Sequence, residues 1–488
     1  MLKQRVSFFA KDILYYGIGN MLYSIVQFIS MPLVVKNMDK TQVADWNILL
    51  PTGVLLAAVV TFGMDSATVR YLKDAEDEKQ KAIIFSTGFL FEAFLALLVA
   101  GGLVLTSSQV CEALHLSKGQ TSSWIVLMGW LPGIIMAQYF QNWFKYTFKR
   151  SLFIKLISVQ AGVYLAGILF LKLSDQLSLV NVMLVMLVSQ WLTAIAGFLT
   201  CRRQFTLQVN KKLLKQLLIY GLPFMVMAFG YNFIISLDRY MLAGKISKDE
   251  FAVYTQAVRI TAIITMIVSS FNFAFGPFSL SLLGKPDAEK TFSRFHSYYL
   301  IIMSFLGLSF LAFGKVIIGI FAGTDYMKGY NFFLLFVSGY ILYGLYSFAQ
   351  LGIIYSKKSY LGIYVLMAGA AACVITDLLL VNKYTGYGTA TGFLVANLVM
   401  VLLGNFYSAK HLRIKHNLAK DILLMLLFAA IGYGFIKISL SGNIFFDGMA
   451  KFAGLVVVMP VVFFFLLTNE EKNYLRRVIF KNNPEGIV

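Results

Sequence analysis

Stretches of about twenty apolar residues recur along this chain, and no polar segment between them is long enough to hold a domain of its own. About 20 such residues is the length an α-helix needs to cross a ~30 Å hydrocarbon layer. Fourteen windows fit, at about 12–35, 44–64, 82–106, 122–144, 151–172, 179–200, 216–236, 251–278, 298–321, 330–351, 360–381, 388–408, 420–438 and 448–467. In lipid a backbone must satisfy its own hydrogen bonds, which helices do within one segment. The chain is therefore expected to be an all-α polytopic membrane protein. Composition agrees. Of 488 residues, 13% are charged and 59% hydrophobic, against about a quarter charged and under half apolar in soluble domains. The opening "MLKQRVSFFAKDILYYGIGN" lacks a small-residue cleavage site after a short apolar core, so the first segment is expected to remain as a span.

A net charge of +19 would suggest nucleic acid in a soluble protein, but here the loops account for it. With the N-terminus inside, inner loops collect about 29 of the 42 Lys and Arg and outer loops about 11, as the positive-inside rule requires. Inner clusters include "RYLKDAEDEKQK" (70–81), "CRRQFTLQVNKKLLK" (201–215) and "EKNYLRRVIFK" (471–481). An even number of spans puts both termini in the cytoplasm, and no nucleic-acid partner is expected. The three cysteines fall in separate segments and the four histidines form no ligand cluster, so neither a disulfide nor a metal is expected.

"KDILYYGIGNML" (11–22) resembles "KQLLIYGLPFMV" (215–226). Each opens a span and leads, after a short polar turn, into a second: "VKNMDKTQVADW" in one copy and "AGKISKDEFAVY" in the other. The offset corresponds to six spans, and two six-helix bundles of like orientation are one way transporters are built. The expected division is an N-terminal lobe at 1–205, a C-terminal lobe at 206–415, and two further spans with a tail at 416–488.

With every loop short, chemistry must come from polar groups at membrane depth, where an ionisable residue is a functional hypothesis by default. Arg259 lies about two turns into the eighth span. It reads either as a snorkelling or ion-paired structural arginine or as a cation facing an internal aqueous cavity. In "SLDRYMLAG" (236–244), Asp238 and Arg239 close the preceding span, and they read either as local ion pairing, with Asp238 neutralising Arg259 across the turn, or as a direct contact to substrate. "GMDSATVRYLKD" (63–74) places Asp65 and Arg70 near the inner face, Asp65 as a helix cap or a gate partner. Glu92 and Asp377 lie within spans; a buried carboxylate is costly when charged, which suits proton coupling as well as a purely structural role. Amides in apolar segments, Gln27, Gln141, Asn142, Asn232 and Asn272 among them, either bond neighbouring helices or line a wet interior. Nucleotide-binding, zinc and nucleophile motifs are absent, so an enzyme is not expected.

The order of "KDILYYGIGN", "GMDSATVRYL", "SLDRYMLAG", "YTQAVRI…FNFAFGPF" and "ITDLLLVNKYTGYGTATGFLVANL" (375–398) resembles the polysaccharide transporter family. These are the Wzx-type flippases of the multidrug/oligosaccharidyl-lipid/polysaccharide exporter superfamily. The resemblance implies passage of polyprenyl-pyrophosphate-linked oligosaccharide across the bacterial inner membrane for cell-surface polysaccharide such as O-antigen. It also implies two lobes opening alternately around a cationic cavity, H+ or Na+ coupling without a bound cofactor, and a setting among membrane lipids, polysaccharide polymerase and chain-length machinery. In that picture Arg259, Arg239 and Arg70 form a phosphate path, and amides and tyrosines receive the sugar. Asp65, Asp238, Glu92 and Asp377 would couple or gate, although Asp377 and "NKYTGYG" stand where many relatives carry Asn and a Pro-Lys pair. Rival readings are a lipid II-type flippase, a multidrug/cation antiporter and, from another class, a membrane glycan polymerase or ligase. The last usually carries a sizeable outer loop, which is missing here.

Overall fold

The structure is a computed structural model that describes residues 22–466 except 148, 207, 283–287, 357, 359 and 413–417. The opening motif, its Tyr16-Gly17 match, His416 and the basic tail at 471–481 lie outside the described residues. The described chain is helical throughout. Its elements are α1 (Leu22–Val35), α2 (Lys40–Val60), α3 (Met64–Lys73), α4 (Glu78–Leu105), α5 (Ser107–Ala113), α6 (Thr121–Tyr146), α7 (Arg150–Leu173), α8 (Leu179–Cys201) and α9 (Lys211–Leu242). They continue with α10 (Lys248–Thr261), α11 (Ile263–Leu282), α12 (Ala288–Ala312), α13 (Gly314–Phe321), α14 (Phe333–Ala349), α15 (Leu351–Tyr355), α16 (Tyr360–Tyr384), α17 (Gly386–Ser408), α18 (Leu418–Lys437) and α19 (Ile444–Leu466). Among the described residues, eleven helices are long and apolar enough to cross a membrane. The partly described α1, with α18 and α19, covers the remaining expected windows.

Helix starts follow local chemistry. Asp39, Asp77, Ser178, Asn210 and Ser247 each sit in extended backbone and accept a hydrogen bond from an N–H of the first turn. A cap of this kind is worth about 1 kcal/mol.

The second span stops at Phe62 and Gly63, both at positive φ, where its expected end lies, and the chain continues as α3. Two expected spans are broken within their length, the ninth at Phe313 between α12 and α13. The eighth stops at Ala262, three residues past Arg259, and restarts as α11. At this second break the hydroxyls of Thr261 and Thr265 donate to the carbonyls of Ala257 and Ala262, a back-bonding pattern that bends helices. Apolar periodicity alone cannot see either break.

The chain forms two compact units. One comprises 1–283 and 318–412, the other 284–317 and 413–488, so the segment 284–317 groups with the last two spans. In the larger unit α6 packs on α8 and α4, and α16 packs on α17 and α9. An aromatic core of Phe85, Phe89, Phe140, Trp143 and Phe153 fills the first of these groups. The two groups meet where α2 contacts α9 and α10. In the smaller unit Lys451 is buried, bonded to Asp447 at 2.7 Å and to the Phe435 carbonyl, which ties the α18–α19 hairpin.

One junction between the groups has no side chain in it. A methyl added to Gly63 would run into the Gly221 carbonyl, and one added to Gly221 would run into the Phe62 carbonyl. Gly63 also holds φ +66°, a conformation costing other L residues about 1–2 kcal/mol. Gly63→Val should therefore prevent this closure. A cysteine replacing the fully buried Met64 should then react with maleimide about tenfold faster than in the Gly63 parent; an unchanged rate would mean the contact is incidental.

Candidate functional site

The junction is built from the first turns of α2 and α10, both of which follow a side-chain cap. Six residues after Asp39, Asp45 is fully buried and points across the junction, where the Lys248 Nζ lies 2.6 Å from its Oδ1. The backbone N–H of Ser117 donates to both carboxylate oxygens, and Lys248 also donates to the His115 carbonyl at 2.6 Å. His115 takes φ 54° and lays its ring over Gly244, which is at φ +76°. A short loop of one helical group thus reaches the turn between α9 and α10 of the other. Two turns along, the hydroxyls of Thr52 and Tyr240 meet at 2.9 Å.

Arg259 lies just beneath this latch. Its guanidinium carbon sits 3.9 Å from the centroid of the Trp46 ring, contributed by α2. It forms no ion pair among the described residues, and its buried Nη1 has no hydrogen-bond partner among them. The Trp46 face makes such a cation tolerable, a stack worth about 2 kcal/mol once water is excluded, against the roughly 3 kcal/mol cost of inserting an arginine at mid-span. No carboxylate is needed, and the donors stay largely unused.

Asp238 does not neutralise Arg259. It is 4% exposed and pairs with its own neighbour, Oδ1 lying 3.2 Å from Arg239 Nη1, while Oδ2 accepts from the Tyr254 hydroxyl at 2.9 Å. Thr389 donates in turn to Tyr254 at 3.0 Å. The adjacent pairing works because the Arg239 side chain folds back onto the Ile235 carbonyl one turn earlier. Arg239 is within electrostatic reach of Arg259, as is Tyr164. Of these two arginines, one is sealed by an acid and the other is not, among the described residues.

Arg70 is elsewhere. From Trp46 to Gly63 the chain runs roughly 25 Å at 1.5 Å per helical residue, and Arg70 lies beyond, half-exposed and paired with Asp74. Asp65 is not the helix cap, which is Gly63; it sits in the first turn of α3, accepts from the Ser66 N–H and does not reach Arg70. Glu92 is buried with Oε1 lacking a partner among the described residues, and Asp65 is its charged neighbour. Asp377 is fully buried against Gly392, and neither carboxylate oxygen has a partner among the described residues.

The amides divide. Gln141 donates to Gln160 at 2.7 Å, and Gln160 donates to Gln190 at 3.0 Å, an interhelical chain that also reaches Ser189. Gln141, Gln160 and Gln190 knit helices together, while the Gln27 backbone carbonyl accepts from Ser30. Asn232 donates to the Ala228 carbonyl of its own helix. Asn142 lines a small cleft with Asp65 and Tyr146, while Asn272 lines a larger cavity of about 360 Å3 with several tyrosines. A further cavity of about 620 Å3, between Val59, α9 and α16, is lined by apolar side chains and glycine. None of these three cavities includes Arg259.

Solved proteins share this polytopic helical fold. A lipid II flippase MurJ in an inward closed conformation superposes with TM-score 0.73 at 12% identity, covering 92% of this chain and 99% of that one. An inward-facing multidrug resistance MATE family transporter of the MOP superfamily gives TM-score 0.60 at 15% identity over 80% of this chain and 94% of its own. An outward-facing one gives 0.58 at 15% over 82% and 95%. Comparison with curated protein sequences finds no match. The family of polysaccharide biosynthesis proteins matches residues 9–281, more than half of the sequence. The chain belongs to that family.

Proposed function

We propose that this chain is a carrier that passes polyprenyl-diphosphate-linked oligosaccharide from the cytoplasmic to the outer leaflet of a bacterial inner membrane, by alternating access of two six-helix lobes. Its product feeds cell-surface polysaccharide assembly, where polymerase and chain-length machinery act next, and both its termini are cytoplasmic. The observation that carries this reading is Arg259, a guanidinium without an acidic partner among the described residues, at the junction of the helical groups. A diphosphate cannot enter hydrocarbon unaided, and a guanidinium fork binds phosphate bidentately. Opening the latch above it would admit the headgroup while the polyprenyl tail stays in lipid. Membership of a polysaccharide biosynthesis family supports a glycan cargo. A cationic drug fits less well, because the group at the junction left without a counter-ion among the described residues is itself a cation.

Asp377 is the residue proposed for H+ or Na+ coupling, since its carboxylate oxygens are buried and without partners among the described residues. Proteoliposomes of the purified chain, loaded with lipid-linked oligosaccharide extracted from host membranes, test both statements. Translocation should run about tenfold or more above protein-free vesicles and respond to an imposed proton or sodium gradient. Asp377→Asn should abolish the gradient response. No acceleration rejects the carrier; an intact gradient response in the variant removes Asp377 from coupling.

A further inference from the structure

Beyond the break at Ala262, α9, α11, α14, α16 and α17 enclose the cavity of about 360 Å3, at the small end of the roughly 300–1,000 Å3 typical of ligand sites. Its polar lining comes from Tyr231, Asn272, Ser279, Tyr343, Tyr346, Ser347 and Gln350. Among the described residues, no charged side chain lines it. That disfavours a diphosphate or a cationic drug and suits a neutral molecule rich in hydroxyls. The walls are aromatic. Tyr231 and Tyr343 stack at 4.4 Å, and Phe275 meets Phe348 at 4.5 Å. Flat ring faces pack against the C–H face of a pyranose, while hydroxyls and amides at the rim serve as donors and acceptors for its O–H groups.

One of those groups is left wanting. Asn272 Oδ1 is buried and has no hydrogen-bond partner among the described residues, so its acceptor capacity is unmet by the protein itself. Asn272 also follows Arg259 by roughly 20 Å of helical chain, a distance a few linked sugar rings would span. The adjoining apolar cavity shares α9 and α16 but offers no such groups.

We propose that this cavity is a subsite for an uncharged pyranose of the transported glycan, a reading that rests on the lipid-linked oligosaccharide carrier described above. Asn272, Tyr346 and Gln350 bond its hydroxyls, and the tyrosine stack supports its apolar face. The subsite sets which sugars are accepted, whereas Arg259 holds the diphosphate common to all such carriers.

Binding to the full chain in lipid nanodiscs tests this with two probes: lipid-linked oligosaccharide extracted from host membranes, and undecaprenyl diphosphate without sugar. Asn272→Ala, and Ser347→Trp as a pocket filler, should each weaken the glycosylated probe by about tenfold and leave the sugarless probe within about twofold. Tyr346→Phe, which keeps the shape and removes one hydroxyl, should weaken the glycosylated probe by about threefold to tenfold and guards against misfolding of the other two. Arg259→Ala should weaken both probes. Glycosylated binding unchanged in the three pocket variants overturns the subsite alone. Equal loss of both probes in those variants overturns it too, because the cavity would then serve the headgroup or the fold. Failure of the parent chain to bind either probe overturns the carrier reading itself.

Discussion

Arg259→Ala should abolish glycan translocation while leaving the amount of folded protein in the membrane unchanged. The two halves of that statement have separate causes. A hydrogen bond to a charged group contributes about 1.5–3 kcal/mol, so a bidentate grip on a diphosphate carries about twice that, a hundredfold or more in affinity. Stability is spared because no acid depends on the guanidinium; it stacks on Trp46 and forms no ion pair among the described residues. Arg259→Lys should fall between, keeping the charge but losing the planar fork and the stack. Arg239→Ala provides the contrast. It would strand Asp238, 4% exposed, inside the helical group, and breaking a buried pair costs about 3–5 kcal/mol. That variant should lose folded protein before it loses transport. Full translocation by Arg259→Ala would remove the arginine from the headgroup path.

Lys248→Met should open the junction above Arg259. Asp45, fully buried, would keep only the Ser117 N–H bonds and lose its one close cation. The same substitution frees the His115 carbonyl, so both arms of the latch go together. A penalty of about 3–5 kcal/mol against the closed arrangement is enough to reverse a closed-to-open ratio of a hundred to one or more. The check is thiol labelling in detergent, in a background lacking Cys111, Cys201 and Cys373, with a cysteine at Val43, which is fully buried here. Labelling should accelerate about tenfold or more. The swap Asp45→Lys with Lys248→Asp should slow it again, which a merely misfolded variant would not do. Unchanged labelling in Lys248→Met would show that the ion pair does not hold the junction shut.

Much of the architecture was legible because lipid leaves one solution for backbone hydrogen bonds and loops carry the charge bias; the spans fall where hydropathy puts them. The break at Ala262 was not, since threonine back-bonding is a local effect that a hydropathy window averages away. Arg259 stood out because charge is costly there, and of the three candidate arginines it is the one left without an acid among the described residues. Arg70 stood out for the same reason but pairs with Asp74 half in solvent. Asp45, Trp46 and Lys248 were missed because they sit in turns that looked merely polar. Their signal was position, just after the capping residues Asp39 and Ser247, where a helix start buries its first turn against a neighbour. Tyr254 carried no signal; its partner Asp238 is sixteen residues away in sequence.

The bare contact of Gly63 with Gly221 has a mechanical meaning. Side chains between two bodies act as cushions, whose rotamers yield by fractions of an ångström and give a graded fit. Here main chain bears directly on main chain, and packed backbone hardly compresses. Closure at that end ends in a hard stop, so the travel of one body against the other is bounded by geometry and does not drift with the softness of the surrounding lipid.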